Sequence, residues 1–474
     1  GALRSLVLIG HGSHHHGESA RATQQVAEAL RGRGLAGHLP YDEVLEGYWQ
    51  QEPGLRQVLR TVAYSDVTVV PVFLSEGYVT ETVLPRELGL GHQGPVPTGG
   101  VVRVLGGRRV RYTRPLGAHP GMADAIAAQA RDTLPEGTDP ADVTLLLLAA
   151  RPGNAALETH AQALRERGQF AGVEVVLESR EALTPESHAA SAVPLSEWPS
   201  RVEAGQAVLV PFLTHLGKHA AERLQQALAQ AAERFPQAPP LHVGGPVGEH
   251  PAVAEVVLAL AAEGREDERG GDIDQAHAEA WAALRHLAER GGRLGEVLLT
   301  PYGGLFELRH TLDEGRATLD LQTVVTPEGL RDLTARDEAG RWRPIRTWRT
   351  LPRGWRAVLS PADLRLGLEL LYPAVIEESY AHEHRRLHWT PWMSTARRQT
   401  GTLARVQRAT PDQVDTVAAQ VCASCLRTRL WAGHTLGQTI FSGVPGGLPC
   451  AEACTVLLAA VRDEVGREAM GSGD

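Results

Sequence analysis

In the first half of the chain, apolar positions fall into short, nearly continuous runs: Leu6–Ile9, Val67–Phe73, Leu145–Leu148 and Val208–Leu213, each bounded by glycine or proline. Runs without polar alternation predict strands buried on both faces. Between them lie helical patterns such as Leu157, Ala161 and Leu164, whose i, i+4, i+7 spacing lines one face. Strand and helix in alternation predict an α/β fold with parallel sheets. In such sheets ligands bind beyond the carboxyl ends of the strands, which here are occupied by His11 and the Ser75–Val79 loop.

The pattern repeats. LVLIGHGS (6–13) is echoed by LLLAARPG (146–153), and VPVFLSEGYVTETVL (70–84) by VPFLTHLGKHAAERL (210–224), both at an offset of 140 (146 − 6 and 210 − 70). At that offset Val70, Pro71, Gly77 and Leu84 match Val210, Pro211, Gly217 and Leu224. PLGAHPGM from Pro115 and PVGEHPAV from Pro246 close each unit at an offset of 131 (246 − 115). A duplication accounts for this, giving two lobes, 1–138 and 139–262, that face one another across a cleft. The charged stretch 262–274 reads as a linker. A small α+β connecting domain is expected over 275–367, with a helix at Ala276–Arg290 and strands around Val297–Leu308 and Leu319–Val325. A mainly helical domain is expected over 368–474.

Length fits this plan, since 474 residues correspond to about three domains at roughly 150 each. Lys+Arg 47 against Asp+Glu 56 leaves a net charge of −9, which gives no global basic field for nucleic acid. One segment departs from that balance: 341–356, RWRPIRTWRTLPRGWR, has six arginines, three tryptophans and no acid. It reads as an edge hairpin whose rings pack inward under arginine stems, in preference to a base-stacking surface. The apolar run at Leu3–Ile9 is too short for a secretory signal, and no stretch approaches ~20 apolar residues, so a cytoplasmic protein with no membrane span is expected. Lys218 is the only lysine, set beside the second lobe's candidate loop.

Three constellations carry chemistry. His11, between Gly10 and Gly12 at a strand end, has backbone room beside it, and a neutral imidazole there can bind a metal or take a proton. At the 140 offset His11 is matched by Arg151, whereas His219 is matched by Val79. Each half therefore keeps the histidine that the other lacks, which predicts one composite site, with His215 and Glu76 as further ligand or carboxylate candidates. The run His14–His16 reads as a weak auxiliary metal site, because three adjacent side chains cannot all point the same way. Finally Cys422-x2-Cys425 and Cys450-x3-Cys454 hold all four cysteines. Four thiolates suit zinc or an iron–sulfur cluster; the unequal pairs, with Pro449, Trp431 and Phe441 nearby, favour the cluster. His119-Pro120 and His250-Pro251 read as structural turns in which proline opens a helix.

LVLIGHGS (6–13), Glu52-Pro53, VVPVFLSEGY (69–78) and PLGAHP (115–120), in that order, resemble the sirohydrochlorin cobaltochelatase family, which shares the class II chelatase fold with ferrochelatase. The family's histidine two residues after the loop glycine is Val79 here and appears only as His219. The cysteine tail resembles the iron–sulfur extension of long family members, which implies a [4Fe-4S] cluster on Cys422, Cys425, Cys450 and Cys454, with zinc as the alternative. The resemblance implies insertion of Co²⁺, or Fe²⁺, into sirohydrochlorin or a related tetrapyrrole. His11 and His219 would then hold metal and accept protons, with Glu76 and His215 assisting. Arg86, Arg151 and Lys218 are the candidates for the substrate's carboxylates. The alternative is a non-catalytic metal-binding or redox-sensing protein on the same scaffold. A redox partner or a second copy of the chain fits either reading.

Overall fold

A computed structural model describes residues 3–151, 153–179, 192–265, 270–344, 350–384, 389–425, 444–448 and 450–471. Contacts divide the chain into two units: Gly1–His11, Glu18–Glu46 and Tyr64–Asp272 form one, and Gly12–Gly17, Gly47–Ala63 and Ile273–Asp474 the other. Among the described residues no helix is long and apolar enough to cross a membrane.

The first unit is built on two five-stranded sheets. In the first lobe the elements are β1 (Arg4–Gly10), α1 (Arg21–Leu35), β2 (Glu43–Tyr48), β3 (Asp66–Pro71), α2 (Leu84–Leu88), β4 (Val101–Leu105), β5 (Arg108–Tyr112) and α3 (Met122–Thr133). The second lobe has β6 (Val143–Ala149), α4 (Ala155–Arg167), β7 (Gly172–Leu177), β8 (Val193–Pro194), β9 (Gln206–Pro211), α5 (Lys218–Arg234), β10 (Leu241–Val243) and α6 (Val253–Ala262). The sheet orders β2-β1-β3-β5-β4 and β8-β7-β6-β9-β10 share one topology over four strands. Central strands pair in parallel, Ile9 beside Pro71 and Leu148 beside Pro211. Every residue of β3 and β6 is buried, as their unbroken apolar runs require. One strand departs from the parallel plan: β4 runs antiparallel to β5 across Gly106 and Gly107, whose positive φ makes the tight turn.

The two lobes share a core between their sheets, while the second lobe keeps a further cluster of its own around Leu146, Trp198 and Leu224 on the other face. Helix α3, closing the first lobe, packs on β9 and α4 of the second, while α6, closing the second, packs on β3 and α1 of the first. A single apolar cluster therefore runs through Leu6, Val70, Met122 and Ile126 to Leu147, Val210, Val253 and Val257. The His-Pro turns hold both exchanged helices in the same way. His119 Nδ1 accepts the Gly121 N–H (2.9 Å), and His250 Nδ1 accepts that of Ala252 (3.0 Å). Each ring's other nitrogen faces an acid at the far end of the other lobe's closing helix, His119 with Glu263 (3.6 Å) and His250 with Asp132 (2.7 Å). The turn reading stands with one correction: the helices start at Met122 and Val253, two residues past each proline, so the imidazole and not the proline opens them.

The second unit contains another five-stranded sheet, ordered β11-β12-β13-β15-β14. These strands are Gly292–Leu294, Val297–Tyr302, Leu305–His310, Gln322–Val324 (β14) and Trp355–Leu359 (β15). Helix α7 (Gln275–Arg290) precedes them, capped by Asp274, whose side chain accepts the His277 N–H. Then follow α8 (Pro327–Thr334), α9 (Leu364–Leu371) and α10 (Val375–Glu383). Leu364, Leu368, Tyr372 and Ile376 belong to the same core as Leu299 and Trp355. The expected boundary at 367 thus falls inside α9, because the apolar face of that helix is needed to cover the sheet.

The Arg/Trp segment is also corrected. Trp355 is 1% exposed and lies on β15, an interior strand and not an edge. Its arginines are neutralised by acids far upstream: Arg356 Nε lies 2.6 Å from Glu307, and Arg353 Nη2 lies 2.6 Å from Asp313. Burial alone would raise the Asp313 carboxyl, but the Gly354 N–H, Arg353 and Arg316 outweigh it and bring it down to about 2. Residues 345–349, Trp348 included, lie outside the described residues. The tail packs α11 (Trp392–Ala396), α12 (Pro411–Val421) and α13 (Thr455–Gly471) around Val406, Val414 and Val461.

Gly117 is the tightest point of the first unit: a Cβ there would lie 2.0 Å from the Leu74 carbonyl oxygen. Gly117→Ala is expected to cost about 3 kcal/mol or more in denaturant unfolding, since backbone must move. Gly205→Ala, which meets only open space, should stay within about 0.5 kcal/mol.

Candidate functional site

His11 stands one residue past β1 and is exposed, with its ring 6.2 Å from that of Phe73 at the end of β3. The parallel register that sets Ile9 beside Pro71 places them side by side on the sheet's carboxyl edge. The loop that follows exposes Glu76 and then turns through Gly77 into a single π-helical turn, Val79–Val83. Two contacts fix that turn: the Gly77 N–H lies 3.3 Å from Thr80 Oγ1, and the buried Tyr112 hydroxyl donates to the Thr80 carbonyl at 2.6 Å. Burial raises the Tyr112 pKa, which keeps the hydroxyl a donor. Arg86 follows on α2, 3.9 Å from Glu87.

The second lobe offers the equivalent edge. Arg151 is exposed beyond β6. Past β9 come half-buried His215, Gly217 as the N-cap of α5, and Lys218 and His219 as its first two residues. Both are exposed, and His219 Nδ1 lies 3.8 Å from Glu222 Oε2. Glu222 was not anticipated, although its i, i+3 spacing from His219 was open to view. Thus His11 and Glu76 share one carboxyl edge, and His215, Lys218 and His219 share the other. Among the described residues no three His, Cys, Asp or Glu side chains converge to hold a metal ion, so His11, His215 and His219 do not form a ready-made cage. The His14–His16 rings stand edge-on in succession, 82° and 71° between planes, as three neighbours must.

His160 and Gly117 escaped the sequence reading. His160 lies on the apolar face with Leu157, Ala161 and Leu164, 2% exposed, and that placement was its signal. Burial lowers its pKa, and burial likewise lowers that of His119.

All four cysteines are half-buried and outside any disulfide. Cys422 caps the end of α12, and Cys454 immediately precedes α13, where the Leu457 N–H lies 3.5 Å from its sulfur. Both pack against the tail's apolar core. Burial, then the neighbouring Cys454 and Cys425, push the Cys422 thiol up to about 12. Neighbouring thiols resist ionisation until a cation shares the space, and among the described residues the four sulfurs, like the histidines, do not converge into a ready-made cage. Pro449, Trp431 and Phe441, expected to line it, lie outside the described residues.

The CbiX family model matches residues 5–133 and 150–264, spanning both lobes. A probable sirohydrochlorin cobaltochelatase of Halobacterium salinarum is 30% identical over 283 residues, covering 55% of this chain and 91% of the relative. The chain belongs to this chelatase family. Residues 277–383 match the DR2241 stabilising domain, and 384–463 a 4Fe-4S iron-sulfur cluster binding domain. The crystal structure of DR2241 from Deinococcus radiodurans is 97% identical, covers 98% of this chain and 100% of its own, and superposes with a TM-score of 0.88. That structure is described as a multi-domain protein with structural similarity to chelatases and two additional novel domains. The architecture is therefore two α/β chelatase lobes, a stabilising domain and a helical cluster-binding domain.

The two lowered imidazoles set a pH dependence. Below about pH 6.5 the unfolded chain takes up protons that folded His119 and His160 refuse, so stability is greatest above that pH and falls as pH drops beneath it. Thermal melts at pH 7.5 and 5.5 are expected to show the lower midpoint at 5.5, with a smaller gap in His160→Gln.

Proposed function

We propose that the first unit inserts a divalent metal, Co²⁺ in the first place and Fe²⁺ in the second, into sirohydrochlorin or a closely related tetrapyrrole. The observation that carries this reading is His11, exposed beside Phe73 on the carboxyl edge of a lobe that belongs to the CbiX family. Insertion exchanges one M²⁺ for the two protons of the pyrrole N–H groups. His11, with His215 and His219 from the other edge, presents imidazole to the incoming ion, a ligand suited to borderline metals. His219 and Glu76 also accept the released protons, and Glu222 steadies the imidazolium that results. Arg86, Arg151 and Lys218 pair with the substrate's carboxylates. A second reading, a non-catalytic metal-binding or redox-sensing protein, draws on Val79 in place of histidine and on the dispersed ligands.

For the tail we propose Cys422, Cys425, Cys450 and Cys454 as ligands of a [4Fe-4S] cluster, supported by the neighbouring thiols within the matched cluster-binding domain. Such a cluster supplies one-electron chemistry or a structural crosslink. The Leu457 N–H beside Cys454 favours a thiolate at that position, and the start of α13 adds the positive end of its dipole.

Metal insertion followed by the tetrapyrrole's visible spectrum tests the first assignment. His11→Ala is expected to lower kcat/KM about 100-fold and His219→Ala about tenfold. If both keep the wild-type rate the site is misplaced, and if wild type inserts no metal the second reading takes over. Anaerobically purified protein should be brown, with about four irons and four sulfides per chain, and Cys454→Ser should lose most of both. Colourless protein holding one zinc would overturn the cluster assignment.

A further inference from the structure

One buried polar side chain touches the supports of both candidate edges. His160, on α4 of the second lobe, places Nε2 2.7 Å from the carbonyl oxygen of Gly117 in the first. A carbonyl can only accept, so His160 is the donor, with its proton on Nε2. Gly117 in turn donates its N–H to the Phe73 carbonyl at 2.9 Å and lies flat against Leu74. The other side of the imidazole meets Phe212, with ring centroids 5.8 Å apart. Phe212 is fixed by its own N–H to Leu148, and the next carbonyl, Leu213, accepts the Gly248 N–H at 3.0 Å. A continuous path therefore runs Phe73, Gly117, His160, Phe212, Leu213, from the base of one loop to the base of the other.

The duplication does not supply a second copy of this link. Counted from the first residue of each helix (155 − 21 = 134), His160 corresponds to Val26, an apolar residue, although the flanking glycine contacts at 117 and 248 are kept in both lobes. His160 is thus a substitution in one half that bridges to the other.

We infer that His160 is a positioning residue that couples the two half-sites, holding the Phe73–Tyr78 loop in fixed relation to the Phe212–Gly217 loop. The inference builds on the proposed metal insertion, since His11 and Glu76 on one edge must act together with His215 and His219 on the other. A loop displaced by an ångström would leave each histidine intact but mismatched to its partner.

The test uses the full chain with two loss variants and one conservative one. H160L removes the donor and keeps the bulk, H160N keeps an amide that falls short of Gly117, and H160Q places its amide nitrogen close to the position of Nε2. Amide hydrogen exchange over 73–83 and 212–219 is measured together with steady-state Co²⁺ insertion into sirohydrochlorin. H160L and H160N are expected to exchange faster in both segments and to lose about tenfold in kcat with KM for metal within about twofold, and H160Q to recover both. If H160L does not fold, H160N against H160Q decides alone. Unchanged exchange in the loss variants, or faster exchange in one segment only, would overturn the coupling. Should wild type insert no metal, the catalytic reading fails while the exchange measurement still decides whether His160 links the loops.

Discussion

Everything in the first unit depends on the exchange of its two closing helices. Helix α6 is apolar nearly all round, and it is buried because it lies between its own lobe and the β3 face of the other. Burying Val253, Val256, Val257 and Leu260 contributes on the order of 6–12 kcal/mol, comparable with the whole net stability of a typical domain. Neither lobe can therefore give up the other's helix and remain folded. The lobes share the core between their sheets, and hinge opening between them would expose it. Motion at the carboxyl edges then falls to the loops after β1, β3, β6 and β9.

What the duplicated halves have kept and what they have changed divide along that line. Backbone contacts that dock the exchanged helices recur almost atom for atom: Gly117 and Gly248 donate to the loops, His119 and His250 cap the helices, and Glu263 and Asp132 face them. The exposed positions have diverged. His11 faces Arg151 across the repeat and Val79 faces His219, while among the buried positions Val26 faces His160. A scaffold constraint holds both copies alike because each supports the other. A single site between them needs each functional group only once.

Much of this was legible in the sequence, for a definite reason. The strand runs and the repeat are local signals, and they gave both sheets and the edges where His11 and His219 stand. The helix exchange was hidden because periodicity reveals that a helix has an apolar face but not whose sheet covers it. The boundary expected at 367 falls inside α9 because Gly367 packs within the helix, whose leucines belong to a sheet formed earlier in the chain. The Arg/Trp segment read as an edge hairpin because the acids that pair with Arg356 and Arg353 on the interior strand, Glu307 and Asp313, lie 49 and 40 residues upstream. His160 stood in plain sight on an apolar helical face, and only its partner, 43 residues away on the other lobe, gives it meaning.

The cysteine tail follows a different logic from the rest. Its described core contains twelve buried apolar residues, three of them alanine. Small domains commonly add a crosslink or a metal to their apolar core. The thiols stand where a crosslink has most effect, Cys422 and Cys425 at the end of α12 and Cys450 and Cys454 at the start of α13. Ligation by all four would tie the two longest helices of the tail across the loop between them, and a long closed loop gains most from such a tie. In the metal-free state their nearness works the other way, since each buried thiol raises the cost of ionising its neighbour. On the proposed ligation, the fold of this domain would be coupled to binding of the cluster.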